Sequence, residues 1–241
     1  MRVVFLLPTS GKKPVGGYKV VYEYANALAD RGHAVTILHA QQFRAHSGRL
    51  SAKDYLKYLA KRIGQSYRPD TWFKLRDDVE VKWVPSLHQR YAPAADVVVA
   101  TSWETAEWAA TYGDNKGRKF YLIQHLEDWS GPRDRVLATW KLPFQKIVIS
   151  KWLLETARDL GEEATYIPNG LNFSAFGLDT AIEARKPDSV VMLFHTLPWK
   201  GSADGIEALR RARDSVPSLT ATLFGVPSAP TDLPEWIANQ Q

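Results

Sequence analysis

The chain has 241 residues, 45% of them apolar and 24% charged, with no cysteine and a net charge of +5 from 31 Lys and Arg against 26 Asp and Glu. The length exceeds one average domain, and the composition excludes disorder, collagen and coiled coil. The missing cysteine excludes disulfides, thiolate catalysis and Cys-ligated zinc and makes a reducing, cytoplasmic compartment the expected address. The small basic excess permits an anionic partner without requiring nucleic acid.

The opening Met1-Arg2-Val3-Val4-Phe5-Leu6-Leu7-Pro8 resembles the front of a signal peptide, but its apolar run is too short and no small-residue cleavage site follows. It reads as a strand over 3–7, apolar enough to be buried on both faces. A polar loop over 9–19 leads to a helix over 18–31, with Val21, Tyr24, Ala25 and Leu28 at helical spacing and Gly32 as its stop. Strands follow over 34–38, 79–84, 96–100, 120–123 and 146–149, with helices between several of them, notably at 104–111 and 151–160. Nothing along the way approaches the roughly 18 uninterrupted apolar residues of a membrane span. Short β-branched runs alternating with amphipathic helices imply an α/β fold, a Rossmann-like doubly wound parallel sheet with helices on both faces. Residues 166–170 close this unit.

The theme restarts with a strand over 190–194, a helix over 203–215 with Ile206, Leu209 and Ala212 on one face, and a strand over 220–224. The chain then drifts through Pro227, Pro230 and Pro234. The expected organisation is an N-terminal domain over 1–171, a connection over 172–188 and the first β-α-β of a second Rossmann-like domain over 189–241. So small a unit cannot cover both faces of its sheet. It should pack on the first domain, self-associate through its incomplete sheet, or be partly disordered.

Gly16-Gly17 lies between the first strand and first helix, where backbone amides and the helix field favour phosphate; the plain alternative is a flexible turn. The loop has neither the G-x-G-x-x-G of dinucleotide folds nor a P-loop frame, which argues against a nucleotide-dependent oxidoreductase. His125 and Glu127 follow a strand at its carboxyl end. They are candidates for acid/base work or sugar-hydroxyl contact, against a histidine merely satisfied in a loop. Asn169-Gly170 after Pro168 says by itself only "turn", a pair that readily takes left-handed geometry. Lys200-Gly201 precedes a helix, where a lysine can hold phosphate as a point charge or simply be solvated. From Arg44 to Arg76 the chain is basic, with Lys53, Lys57, Lys61 and Arg62 around an apolar stripe of Tyr55, Leu56, Leu59 and Ile63, then Tyr67, Trp72 and Phe73. Such a helix can lie on an anionic membrane or pack on the domain with its charges in water. No nucleic-acid-binding motif accompanies the charge, so nucleic acid is not an expected partner.

The order of these motifs resembles the retaining glycosyltransferases of family 4. It runs from Gly16-Gly17 through Ser150-Lys151-Trp152-Leu153-Leu154 and Ile167-Pro168-Asn169-Gly170-Leu171-Asn172 to a strand ending near Lys200-Gly201. The segment 121–127 is also similar to members that build bacterial surface polysaccharides, including rhamnosyltransferases. The resemblance implies the GT-B fold, two Rossmann-like domains across a cleft, and transfer of a sugar from a nucleotide sugar to a glycan or lipid-linked acceptor with retention. It implies that Gly16 and Gly17 approach the donor diphosphate or acceptor, that Lys200 binds phosphate, that His125 and Glu127 lie near the transferred sugar, and that Asn169 and Gly170 mark the interdomain crossover. It also implies that no metal or other cofactor is needed, since protein cations and helix N-termini stabilise the leaving diphosphate. Two departures stand out. His195-Thr196 occupies the place of the family's Gly-Arg, leaving Thr196 where a phosphate-binding cation is usual. The family's Glu-x7-Glu element lies beyond residue 241. The expectation is therefore an incomplete form, inactive alone and peripheral on the inner face of the membrane; the alternative is a non-catalytic docking subunit with a separate donor-binding partner.

Overall fold

Strand β1 (Arg2–Leu7) runs through the middle of a seven-stranded sheet, and its side chains show why it sits there. Val4 and Leu6 point into one apolar cluster and Val3, Phe5 and Leu7 into another, so neither face meets water. In a computed structural model, which describes residues 1–10, 13–43, 50–173, 176–225 and 233–240, the chain forms two compact units, Met1–Gly170 and Leu171–Gln241. Arg44, Arg49, Pro227 and Pro230 lie outside the described residues.

The first unit continues through α1 (Gly16–Asp30), β2 (Ala34–Gln42), α2 (Ala52–Ile63), β3 (Glu80–Ser86), β4 (Val97–Ala100), α3 (Trp103–Ala110), β5 (Arg118–Ile123), α4 (Arg133–Trp140), β6 (Gln145–Val148), α5 (Lys151–Asp159) and β7 (Ala164–Tyr166). The strand order is β3-β2-β1-β4-β5-β6-β7, and every pairing is parallel. Val3 stands opposite both Val35 and Val97, and Leu6 opposite Leu38 and Ala100. One face is covered by Trp108, Trp140 and Leu153 from α3, α4 and α5, the other by Val21, Tyr22 and Ala25 of α1. This is the doubly wound, Rossmann-like α/β sheet expected from the alternation of strands and helices. Order reverses at β1, whose neighbours are β2 on one side and β4 on the other.

The second unit contains β8 (Ser189–Phe194), α6 (Ser202–Ser215), β9 (Thr220–Gly225) and β10 (Ile237–Gln240), in a parallel sheet of order β10-β9-β8. The third strand is a correction to the sequence reading, which ended structure at β9. Four residues, two of them polar, are too few to carry a strand signal, yet Ile237 pairs with Ala221 and is buried. Ile206 and Leu209 of α6 cover one face with Phe194 and Leu223, whereas Val191, Leu193 and Phe224 are exposed.

Candidate active site

In open parallel sheets, ligands lie beyond the carboxyl ends of the strands, at the point where strand order reverses. Here that point is the end of β1 and β4, and three loops converge on it. After β1, Tyr18 donates through its hydroxyl to the Thr9 carbonyl at 2.5 Å. After β4, the Thr101 hydroxyl donates to the Leu6 carbonyl at 2.7 Å, while the amides of Thr101 and Ser102 donate to Thr105 Oγ1 at 2.8 and 2.9 Å. Ser102 and Thr105 thereby form the capping box that starts α3. After β5, Gln124 Nε2 donates to the Gly17 carbonyl at 3.0 Å, which ties the end of β5 to the start of α1.

Glu127 is the chemical centre of this cluster. Its backbone is left-handed, with φ of 62°, a conformation rare outside glycine and common at functional sites. Its Oε2 accepts from the Trp103 amide, the first of α3, at 2.9 Å. The following loop is clamped on the same residue. Ser130 Oγ accepts from Trp103 Nε1 at 2.8 Å and donates to the Glu127 carbonyl at 2.9 Å, and a Cβ on Gly131 would lie 2.5 Å from the Trp103 ring. The amide bond and the helix N-terminus favour a carboxylate, but burial opposes it more strongly and the Glu104 carboxylate adds repulsion. The balance raises the Glu127 carboxyl to about 7, so both protonation states are populated at neutral pH.

His125, two residues earlier, is exposed, and its Nδ1 accepts from the Leu126 amide at 2.9 Å. In the neutral ring the proton therefore sits on Nε2. Behind the loops, His39 is fully buried. Its Nδ1 donates to the Pro8 carbonyl at 3.2 Å and its Nε2 accepts from the Tyr22 hydroxyl at 2.9 Å, so both nitrogens are satisfied in the neutral ring. Burial lowers its pKa to about 4.

The sequence candidates distribute as follows. Gly16, Gly17, His125 and Glu127 stand at this carboxyl end of unit 1. Neither glycine has a positive φ, and a Cβ would meet nothing at Gly16 and only ordinary contact with Gln124 at Gly17. Val15 provides no side-chain cap for α1. In unit 2, Thr196 and Lys200 are exposed in the loop after β8, where the His195 amide donates to Ser202 Oγ at 2.8 Å and Gly201, with φ of 68°, begins α6. Asn169 and Gly170 are exposed beyond β7, at the boundary between units, and neither takes the left-handed geometry that Asn-Gly invites.

On α2, Lys53, Lys57 and Arg62 are exposed, but Lys61 turns inward. Its Nζ donates to the Ser10 carbonyl at 3.0 Å and lies 4.6 Å from the Trp83 ring centroid, and burial lowers its pKa. The buried contact of this helix is Tyr58, whose carbonyl accepts from Trp83 Nε1 at 3.2 Å. Leu56 and Ile63, 67% and 82% exposed, lie outside the packed face.

Sequence reasoning missed Trp103, Glu104 and Gln124. The Ser102-x-x-Thr105 cap was a readable signal for the first two; Gln124 lies within the 121–127 segment but carries no role of its own in that resemblance.

No protein-family model matches the chain, and no curated protein matches it in sequence. Solved structures do resemble it. One is an alpha-glucosyltransferase in complex with UDP-glucose and DNA containing an abasic site, at TM-score 0.54 and 12% identity over 93% of this chain and 57% of that one. Another is an alpha-glucosyltransferase in complex with UDP and a 13-mer DNA containing a central A:G mismatch, at TM-score 0.55 and 11% identity over 95% and 57%. At such identities the likeness is one of fold, and this chain spans less than three-fifths of the length of those structures.

Proposed function

We propose that this chain belongs to a glycosyltransferase that moves a sugar from a nucleotide-sugar donor to a glycan or lipid-linked acceptor, with retention of configuration and without a metal. The observation that carries the reading is Glu127, a half-buried carboxyl group with a pKa near 7 at the strand-order reversal, in a fold shared with enzymes solved with UDP or UDP-glucose. In this reading unit 1 takes the acceptor. The Glu127 carboxylate orients the acceptor hydroxyl and can share its proton, and His125 contacts the sugar. The open start of α1, with two glycines that the fold does not require, lets backbone amides approach an anion. Unit 2 takes the diphosphate at the start of α6, where Lys200 supplies the charge that helps it leave.

Helix α2 would bring the protein to its acceptor. Lys53, Lys57 and Arg62 each contribute about 1 kcal/mol near an anionic leaflet, and Leu56 and Ile63 are free to enter its boundary.

The test is binding of UDP-, GDP-, dTDP- and CDP-sugars, followed by thermal shift and by release of nucleoside diphosphate in the presence of lipid-linked and free glycans. We expect one donor class to bind and Lys200→Ala to weaken it about tenfold. The anomeric configuration of any product reads out retention. Failure of every nucleotide sugar to bind would sink the proposal.

A further inference from the structure

We propose that Trp129 and Trp152 form an aromatic platform that receives the apolar face of a neutral pyranose in the acceptor; this rests on the glycosyltransferase reading. The two indoles come from independent elements, the loop after β5 and the second residue of α5, yet both pack on one imidazole. Their ring centroids lie 4.3 and 5.1 Å from that of His125, with interplanar angles of 72° and 68°. Edge-on packing of this kind fixes ring orientation. Both nevertheless remain open to solvent, Trp129 by 54% and Trp152 by 44%. Two large aromatic side chains held in place but uncovered, packed on one imidazole of the loop that carries half-buried Glu127, form a surface that a ligand can complete.

The surrounding charge selects the ligand. Glu127 and Asp128 lie on the same loop as Trp129, and Glu104 is close enough to raise the Glu127 pKa. Arg133 is engaged by Asp128 at 2.5 Å. That pair cancels, and Glu127 is partly protonated at pH 7, so the loop offers carboxylate oxygens as acceptors with little net charge. A neutral sugar fits both chemistries: its C–H face stacks on indole, and its hydroxyls donate to carboxylate oxygens. The platform thus holds the acceptor's pyranose against the loop that carries His125 and Glu127.

The experiment uses the full chain and saturation-transfer NMR with methyl glucoside, galactoside, mannoside and rhamnoside and the corresponding disaccharides, without donor. We expect saturation concentrated on the C–H protons of one sugar face. Trp129→Ala and Trp152→Ala should each reduce it about three- to tenfold, and Trp129→Phe and Trp152→Phe should keep part of it. The phenylalanine variants also serve if an alanine variant loses its fold. No signal with any glycoside, or equal signal in wild type and the alanine variants, overturns the proposal. So does tryptophan-dependent binding of UMP or of anionic vesicles in place of glycosides. Donor turnover does not enter this readout. A protein that binds nucleotide sugars but lacks tryptophan-dependent glycoside binding fails the platform alone, whereas one that binds glycosides and no donor fails the proposed function alone.

Discussion

Half-buried Glu127 and fully buried His39 are ionisable side chains whose pH signatures oppose each other. Burial lifts the Glu127 carboxyl to about 7, above its unfolded value of about 4.3. The folded state therefore holds a proton that the unfolded state has lost, and this contribution to stability is present at low pH and disappears as pH rises through 7. Burial lowers His39 to about 4, below its unfolded value of about 6.5. Its contribution is present above pH 6.5 and disappears as pH falls through 4. Each window spans roughly 3.5 kcal/mol at most, and the two overlap between about pH 4.5 and 6.5. Denaturant melts across pH should show the two slopes offsetting each other in the wild type. Glu127→Gln should leave a rise of stability with pH, and His39→Gln a fall; parallel profiles for all three proteins would refute the assignment. Of this site, the sequence made legible the residues whose type is itself chemical, such as His125, Glu127 and the glycine pair. It did not make legible the left-handed backbone at Glu127, because glutamate carries no preference for that conformation and the loop is held by Trp103 and Ser130.

Among the elements, the central strands were legible because burial on both faces leaves a continuous apolar run. Helix α4 and strand β10 were not. Of the eight residues of α4, Val136, Thr139 and Trp140 are buried, too few to mark a period, and β10 contributes Ile237 to its core. Helix α2 shows a subtler failure. Its apolar stripe suggests the side that packs, but Tyr58 and Lys61 anchor the helix instead and leave Leu56 and Ile63 in water. Substituting serine at both exposed positions should leave the melting temperature within about a degree or two, since surface changes cost little. It should also abolish most co-sedimentation with anionic liposomes. Lys53→Glu with Lys57→Glu should do the same at low salt. Equal sedimentation of wild type and variants, or of anionic and neutral liposomes, would remove the membrane from the account.

For the molecule as a whole, the second sheet carries an unanswered surface. Parallel sheets are normally covered on both faces, but Val191, Leu193 and Phe224 stand 67%, 53% and 44% exposed while α6 covers the other side. Sedimentation should therefore show association that grows with concentration, and Leu193→Lys should weaken it without lowering the melting temperature; a strict monomer at all concentrations would contradict this. Proton balance is likewise a property of the entire molecule. A carboxyl group half protonated at pH 7 makes ligand capture an exchange with the medium. A sugar hydroxyl donating to Glu127 favours its anion and ejects a fraction of a proton into the buffer. The heat of glycan capture at pH 7 should accordingly differ between phosphate and Tris, by the enthalpy those buffers release on taking up that fraction, and the difference should vanish in Glu127→Gln. A calorimeter would thus count protons leaving a site whose chemistry no sequence motif spells out.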